Sequence, residues 1–202
     1  MINLITSALF LVLIPGISPL KHDQSRILAP SVKQSVVITG IEGTPKNPFE
    51  KSPKVRLLAF VFIMHDCPIS NQYLPEVKRI FKRFDSQGVK SRLVYEEAGV
   101  DIKTLITHSK DFGIGNYTVI DKSFALAKNL GVTITPEAVV TSADGAVLYR
   151  GRINDLYVDY GKRRPTVTVN DFKDAIAQCL KGKLYNSRTK AIGCYIPFDA
   201  AK

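Results

Sequence analysis

The chain has 202 residues, of which 45% are hydrophobic and 23% charged, and this composition excludes a mainly disordered, fibrous or multi-span membrane protein. The formal net charge of +10 permits an acidic partner without identifying one. Three cysteines are too few for a scaffold built on disulfides. Because their number is odd, at least one thiol stays unpaired or pairs with another molecule.

The first 18 residues resemble an export signal. Residues 2–14 are apolar apart from three small polar side chains, and a Pro-Gly pair ends the run. About 13 residues are too few to cross a bilayer and suit the central region of a secretory signal, although no Lys or Arg precedes them. A buried first strand or an uncleaved membrane anchor would give the same pattern. We expect export to the periplasm or the extracellular space, followed by a leader over 19–52 with one short strand at 35–41.

A buried strand followed by an amphipathic helix is the clearest signal in the chain. Residues 55–63 are a near-continuous apolar run, typical of a strand covered on both faces. Apolar residues then recur at helical spacing from 69 to 84. Cys67 therefore lies at the helix N-terminus, where free N–H groups and the helix dipole favour a thiolate and lower the pKa of the thiol. Pro68 suits the first helical turn, whereas Pro75 predicts a kink.

The remaining predicted elements alternate between strands and helices. In chain order they are a strand at 91–95, a helix at 101–111, a strand at 118–120, a helix at 123–129, strands at 138–141 and 146–150 that form a hairpin, and a helix that ends at 181 after Asn170 as its cap. Cys179 falls on the apolar face of this last helix and is expected to be buried. Residues 183–202 form a tail whose apolar part carries Cys194, and we expect it to dock on the protein.

Two landmarks make the sequence resemble the thioredoxin superfamily. One is the strand, Cys67 and a helix with Pro75 eight residues later, and the other is Thr135-Pro136 before an apolar strand. The resemblance covers 53–182 and implies an α/β thioredoxin-like fold with a central mixed β-sheet flanked by helices. It implies that the Pro136 peptide bond is cis. It also implies a substrate platform made of Thr135, Pro136 and Pro68, on which a substrate chain pairs with the backbone of Thr135.

The stretch between Cys67 and Pro136 is longer than in thioredoxin. Its extra strand–helix insertion resembles the redoxin branch that contains the AhpC/TSA peroxiredoxins and the TlpA-like reductases. The active-site sequence Cys-Pro-Ile-Ser is, however, a single-cysteine variant. A dithiol oxidoreductase has its second cysteine where this chain has Ser70. A peroxiredoxin has Thr or Ser in place of Met64, and copper-delivering SCO-type proteins have cysteine in place of Asn71.

Three functions stay open at this point. The first is a thiol-disulfide oxidoreductase with Cys67 as nucleophile and Ser70 stabilising the thiolate. The second is a peroxiredoxin-like antioxidant peroxidase, and the third is an SCO-like copper-binding or partner-docking module. We expect the tail to fold over the site so that Cys194 resolves Cys67 by forming a disulfide; an unreacted Cys194 or a disulfide to a partner are the alternatives. The expected partner is a protein thiol or disulfide, or a small-molecule oxidant.

The histidines and charged residues carry less information about function than the cysteines do. His65 could lower the pKa of Cys67 as an imidazolium or donate a proton, or simply face solvent. His108 is expected on the solvated surface, and Glu137 either near the thiol or exposed at a strand edge. The basic run at 162–164 lacks the interleaved aromatic residues of a nucleic-acid site. The sequence therefore predicts no cofactor, no metal, no nucleic acid and no membrane contact beyond an N-terminal anchor.

Overall fold

The structure is a computed structural model that describes residues 36–49, 52–185 and 189–201. The export signal and most of the leader lie outside the described residues, so export stays a prediction. Within the described ranges, no helix has both the length and the apolar character needed to cross a bilayer.

Strands and short helices follow one another along the chain. The strands are β1 (Ile38–Gly40), β2 (Pro45–Lys46), β3 (Leu57–Ile63), β4 (Val89–Tyr95), β5 (Thr118–Ile120), β6 (Ile134–Thr135), β7 (Glu137–Ser142), β8 (Val147–Gly151), β9 (Tyr157–Asp159), β10 (Lys162–Arg163) and β11 (Cys194–Tyr195). The α-helices are α1 (Pro68–Phe84), α2 (Ile102–Asp111), α3 (Ala125–Leu130) and α4 (Asp171–Leu180). Most predicted elements therefore exist, with ends displaced by one or two residues.

A mixed sheet of seven strands forms the centre of the molecule, in the order β2-β1-β5-β4-β3-β7-β8. Strand β3 pairs in parallel with β4, and β4 pairs in parallel with β5. Strand β7 pairs antiparallel with both β3 and β8. Because parallel strands end at the same edge of a sheet, the loops that follow β3, β4 and β5 meet there. Cys67 lies in the first of these loops, so this edge positions the candidate site.

Both faces of β3 are buried, which explains its continuous apolar sequence. Alternate side chains point to opposite faces of a strand. Ala59, Val61 and Ile63 belong to the apolar cluster that includes α1 and α4. Phe60 and Phe62 belong to the second cluster, on the α3 side. The predicted mixed sheet flanked by helices is confirmed, and β4, α2, β5 and α3 form the expected insertion between α1 and the proline strand.

Two parts of the fold differ from the sequence-based expectation. The leader contributes two strands, and β1 pairs antiparallel with β5 at the margin of the sheet. The connection between β8 and α4 contains a hairpin of β9 and β10, although its sequence predicted a loop. Within that hairpin the ring of Tyr157 packs 5.7 Å from the ring of Tyr73 on α1. This contact anchors the hairpin to the helix that carries Cys67.

Candidate active site

Cys67 is the N-terminal cap of α1. Its side chain is 1% exposed, and its sulfur accepts a hydrogen bond of 3.5 Å from the backbone N–H of Ser70. Pro68 occupies the first helical position, where the lack of an N–H group has no cost. Sulfur therefore takes the place of the side-chain oxygen that usually caps a helix. The helix dipole and the Ser70 N–H both favour the thiolate over the thiol.

The Thr135–Pro136 peptide bond is cis, as the resemblance implied. The carbonyl oxygen of Thr135 lies 3.4 Å from the sulfur of Cys67, so the thiol, when protonated, can donate to it. Thr135 is itself fully buried. The structure thus brings Cys67, Pro68, Thr135 and Pro136 to one place, although they come from two distant parts of the chain.

The C-terminal tail lies directly on this place. Strand β11 pairs antiparallel with β6, so that Cys194 stands opposite Thr135. The hydroxyl of Thr135 donates a hydrogen bond of 3.4 Å to the carbonyl of Cys194. The tail is so close at Gly193 that a β-carbon there would lie 1.9 Å from the carbonyl oxygen of Thr135. This packing brings Cys194 to the side of Thr135 whose carbonyl contacts Cys67, and the two cysteine side chains interact.

The two thiols have opposite acidities. Burial disfavours ionisation of Cys67, but hydrogen bonding by the Cys194 thiol and by Ser70 outweighs burial and lowers the pKa of Cys67. For Cys194, burial and the hydrogen bond to Cys67 both act against ionisation and raise its pKa. The pKa of Cys67 is thus lowered and that of Cys194 raised, so Cys67 is the thiol that ionises first. Both cysteines are free thiols in this structure.

The hydroxyl of Ser70 is fully buried, and it forms no hydrogen bond of normal geometry with the residues that the structure describes. The contact of Ser70 with the Cys67 sulfur is the hydrogen bond from its backbone N–H. Substitution by Ala would therefore remove the hydroxyl and leave the helix cap in place.

His65 faces a carboxylate at the edge of the site. Its backbone N–H and its Nδ1 both contact Oε1 of Glu97, at 2.6 Å and 2.8 Å. Its carbonyl accepts a hydrogen bond of 2.9 Å from the amide of Asn71. The loop that carries His65 is thus fixed to the loop after β4 on one side and to α1 on the other. This arrangement supports a structural role for His65 in holding the loop before Cys67.

His108 is not on the solvated surface, and that expectation was wrong. It is partly buried, its Nδ1 lies 2.7 Å from the hydroxyl of Tyr95, and its Nε2 lies 2.8 Å from Oδ1 of Asn71. Burial and the nearby charge of His65 lower the pKa of His108, so the neutral ring is favoured. His108 therefore links α2 to β4 and to the helix of Cys67.

The other candidate residues fall outside the thiol pair. Glu137 is buried rather than exposed at a strand edge, and its Oε1 lies 3.8 Å from Nε of Arg150. Cys179 is buried on α4 as predicted. Beside β6 and β11 there is a groove of about 820 Å³ lined by Ile134, Glu137, Arg150, Tyr195 and neighbouring residues. Its lining does not include Cys67, so the groove adjoins the site rather than containing its chemistry.

One group of possible metal ligands lies close to the site. Ligand atoms of His65, Asp66 and Glu97 all lie within 4.8 Å of one another. The spacing along the chain predicts no metal site here, because Glu97 follows β4 whereas His65 and Asp66 follow β3. Two of the three groups, His65 and Glu97, already hydrogen-bond each other, which accounts for their proximity without a cation.

Three residues of the site were missed at the level of sequence. Glu97 and Asn71 hold the His65 loop, and Gly193 allows the tail to approach Thr135. Glu97 follows the end of a predicted strand. Parallel pairing of that strand with β3 places Glu97 at the same sheet edge as His65, and this could have indicated the contact. For Gly193, the signal is its position directly before Cys194 in an apolar segment.

Comparison with known proteins supports the fold. No family model and no curated protein matches the chain. An uncharacterized conserved protein from Geobacillus kaustophilus is 19% identical with a TM-score of 0.67, over 83% of this chain and 91% of that one. A hypothetical protein from Sinorhizobium meliloti is 24% identical with a TM-score of 0.64, over 79% and 88%. A thiol-disulfide oxidoreductase from Bacteroides fragilis is 18% identical with a TM-score of 0.50, over 58% and 89%.

These similarities and the topology define the class of the protein. The chain has a thioredoxin-like α/β fold, with a mixed central sheet flanked by helices and an insertion between α1 and β7. At such low identity the similar structures establish the fold and leave the activity to be argued from the site.

Proposed function

We propose that the protein is a thiol-disulfide oxidoreductase in which Cys67 is the nucleophile and Cys194 is the resolving thiol. The observation that carries the proposal is the position of Cys194 opposite Thr135, whose carbonyl oxygen lies 3.4 Å from the Cys67 sulfur at the N-terminus of α1. A nucleophilic thiol must ionise near neutral pH, and a resolving thiol must reach the same sulfur afterwards. The lowered pKa of Cys67 meets the first requirement, and the position of Cys194 beside Thr135 meets the second.

The proposed reaction has two steps. The thiolate of Cys67 attacks one sulfur of a client disulfide; an S–S bond forms between Cys67 and the client, and the other client sulfur leaves as a thiolate that takes up a proton. Cys194 then loses its proton and attacks Cys67, which releases the second client thiol. The client disulfide gains two electrons, and the two cysteines of the protein lose two electrons as they form a disulfide. The reverse sequence would oxidise a client dithiol.

The acidity of Cys194 fits the order of these steps. While Cys67 is a thiolate, its negative charge and hydrogen bond oppose ionisation of Cys194. Once Cys67 is bound in a mixed disulfide, that negative charge is gone and Cys194 becomes easier to ionise. Attack by Cys194 is therefore favoured after attack by Cys67 and disfavoured before it.

Within the residues that the structure describes, the site lacks a group that peroxide reduction requires. The position from which the Thr or Ser of a peroxiredoxin would orient peroxide is Met64, a buried apolar side chain. Its side chain cannot donate a hydrogen bond to a peroxide oxygen, so the transition state for O–O cleavage lacks that stabilisation. Disulfide exchange requires no such group, which is why we favour it.

Reduction of insulin disulfides by dithiothreitol tests the proposal. Cys67→Ser should abolish catalysis, and Cys194→Ser mixed with insulin in the absence of dithiothreitol should accumulate a mixed disulfide between Cys67 and the substrate. Cys179→Ser, a buried cysteine on α4, is the matched control and should retain the wild-type rate. Full catalysis by Cys67→Ser would refute the assignment. Peptide mapping of the oxidised protein should recover the Cys67–Cys194 disulfide, and free alkylation of both cysteines there would exclude the pairing.

A further inference from the structure

The tail is held as an added β-strand. In the described part of the chain, β6 has β11 as its strand partner, in an antiparallel pair that joins Thr135 to Cys194 and Ile134 to Tyr195. The pairing continues one residue further, where the N–H of Ile196 donates a hydrogen bond of 3.0 Å to the carbonyl of Thr133. The backbone edge next to the cis-proline is therefore already occupied by a cysteine-bearing strand of the same chain.

The surroundings restrict which side chain is accepted at three positions of this segment. At Gly193, any side chain would collide with the carbonyl of Thr135, which is backbone and cannot move aside. At Cys194, the thiol reaches Cys67. At Ile196, the side chain is 5% exposed and packs in the apolar cluster on the α3 side of the sheet. Tyr195, between them, is 79% exposed and carries no such restriction.

We propose that this strand occupies the site of a client polypeptide, and that the clients are extended segments with the pattern glycine, cysteine, any residue, apolar residue. The inference rests on the proposed function and specifies its substrate class. A client cysteine presented in this way takes the place of Cys194 against Cys67. The small residue before it avoids the Thr135 carbonyl, and the apolar residue two positions after it fills the space of Ile196.

A consequence is that the tail and the client compete for the edge of β6. Cys67 is almost completely buried while the tail is in place, so a client disulfide cannot reach the sulfur without displacing β11. The tail has a second anchor before this strand, because the hydroxyl of Thr189 lies 2.9 Å from the hydroxyl of Tyr149. Release of the segment from Gly193 to Ile196 therefore frees the site for a client. Thr189 meanwhile keeps the tail close enough to deliver Cys194 afterwards.

Binding of a peptide in trans tests the inference with the full chain. The probe is a fluorescent peptide of residues 190–198 that carries Cys194→Ser, which removes redox chemistry from the measurement. Full-length protein with Gly193→Val has its own tail displaced by the collision with Thr135 and should bind the peptide at least tenfold more tightly than wild type, by fluorescence anisotropy under reducing conditions. The protein variant Ile196→Asp displaces the tail by a different contact and should give the same gain.

Matched controls separate the strand site from unspecific effects. Gly115→Ala, at a glycine where a β-carbon would come no closer than 3.9 Å to another residue, should behave as wild type. A peptide with Gly193→Val, or one with Ile196→Asp, should bind the Gly193→Val protein at least tenfold more weakly than the parent peptide. Circular dichroism shows whether each protein variant is folded.

Equal binding of all peptides, or no gain in either displaced-tail protein, would overturn the inference. If such a protein still reduced insulin through Cys67, the proposed function would stand while the client pattern failed. If Cys67→Ser retained catalysis, the proposed function itself would fail, whatever the peptides showed.

Discussion

Replacement of Cys194 by Ala should make Cys67 a weaker acid. The interaction of Cys194 with the Cys67 sulfur opposes the effect of burial and lowers the pKa of Cys67. A hydrogen bond to a charged group contributes about 1.5–3 kcal/mol. Because about 1.4 kcal/mol corresponds to a factor of ten, the fraction of Cys67 thiolate should fall by about ten- to a hundredfold on the acidic side of its titration. The Ser70 N–H remains in place, so the helix cap is retained.

The assay is alkylation of Cys67 as a function of pH, with the modified peptide quantified by mass spectrometry. Rates are divided by their plateau at high pH, because the smaller side chain at position 194 also changes access to Cys67. The matched control, Cys179→Ala, removes a buried thiol on α4 and should leave the normalised curve unchanged. A Cys194→Ala curve that coincides with wild type, or lies at lower pH, would refute the assigned hydrogen bond.

Three further predictions concern the framework around the site. Glu96 is fully buried, and burial with the nearby charges of Asp121 and Glu97 raises its pKa well above 4.5, so stability is lost as pH rises above 4.5. Glu96→Gln removes that loss; its advantage in free energy of unfolding should grow by about 1.4 kcal/mol per pH unit above that value, and urea curves with a constant difference from wild type would contradict this. The carboxylate of Asp121 accepts hydrogen bonds from the N–H groups of Ala125, Leu126 and Ala127. Asp121→Ala should therefore cost about 2 kcal/mol in urea unfolding, and an unchanged midpoint would exclude this capping role. His108→Leu should cost about 1–3 kcal/mol because it leaves the Tyr95 hydroxyl unpaired, and adding Tyr95→Phe should then restore part of the loss; additive losses in the double variant would show that the two side chains act independently.

The parts of the site that could be predicted have local causes. An apolar run, a cysteine and a proline at consecutive positions define the strand, the cap and the first helical turn, so Cys67 and Pro68 could be placed without knowledge of the fold. Thr135 and Pro136 required the resemblance to a known superfamily, because no local pattern joins them to a cysteine 68 residues away.

The parts that could not be predicted depend on pairing between distant segments. His108 lies off the apolar face of α2, and this position alone predicts an exposed side chain. Its hydrogen-bond partners Tyr95 and Asn71, however, lie on β4 and α1. The register of the tail depends on a two-residue ladder between β11 and β6. An apolar tail with one cysteine predicts docking, but the exact partner of Cys194 follows from the fit of Gly193 against Thr135.

The anchoring of Thr189 limits how far Cys194 can travel. Besides its contact with Tyr149, the Thr189 hydroxyl accepts a hydrogen bond of 3.1 Å from the N–H of Arg152. Five residue steps separate Thr189 from Cys194, and an extended chain advances about 3.5 Å per step, so the released thiol stays within roughly 17 Å of its anchor. A group confined in this way has a local concentration in the millimolar range. A free thiol in solution would have to exceed that concentration to intercept an intermediate before Cys194 returns.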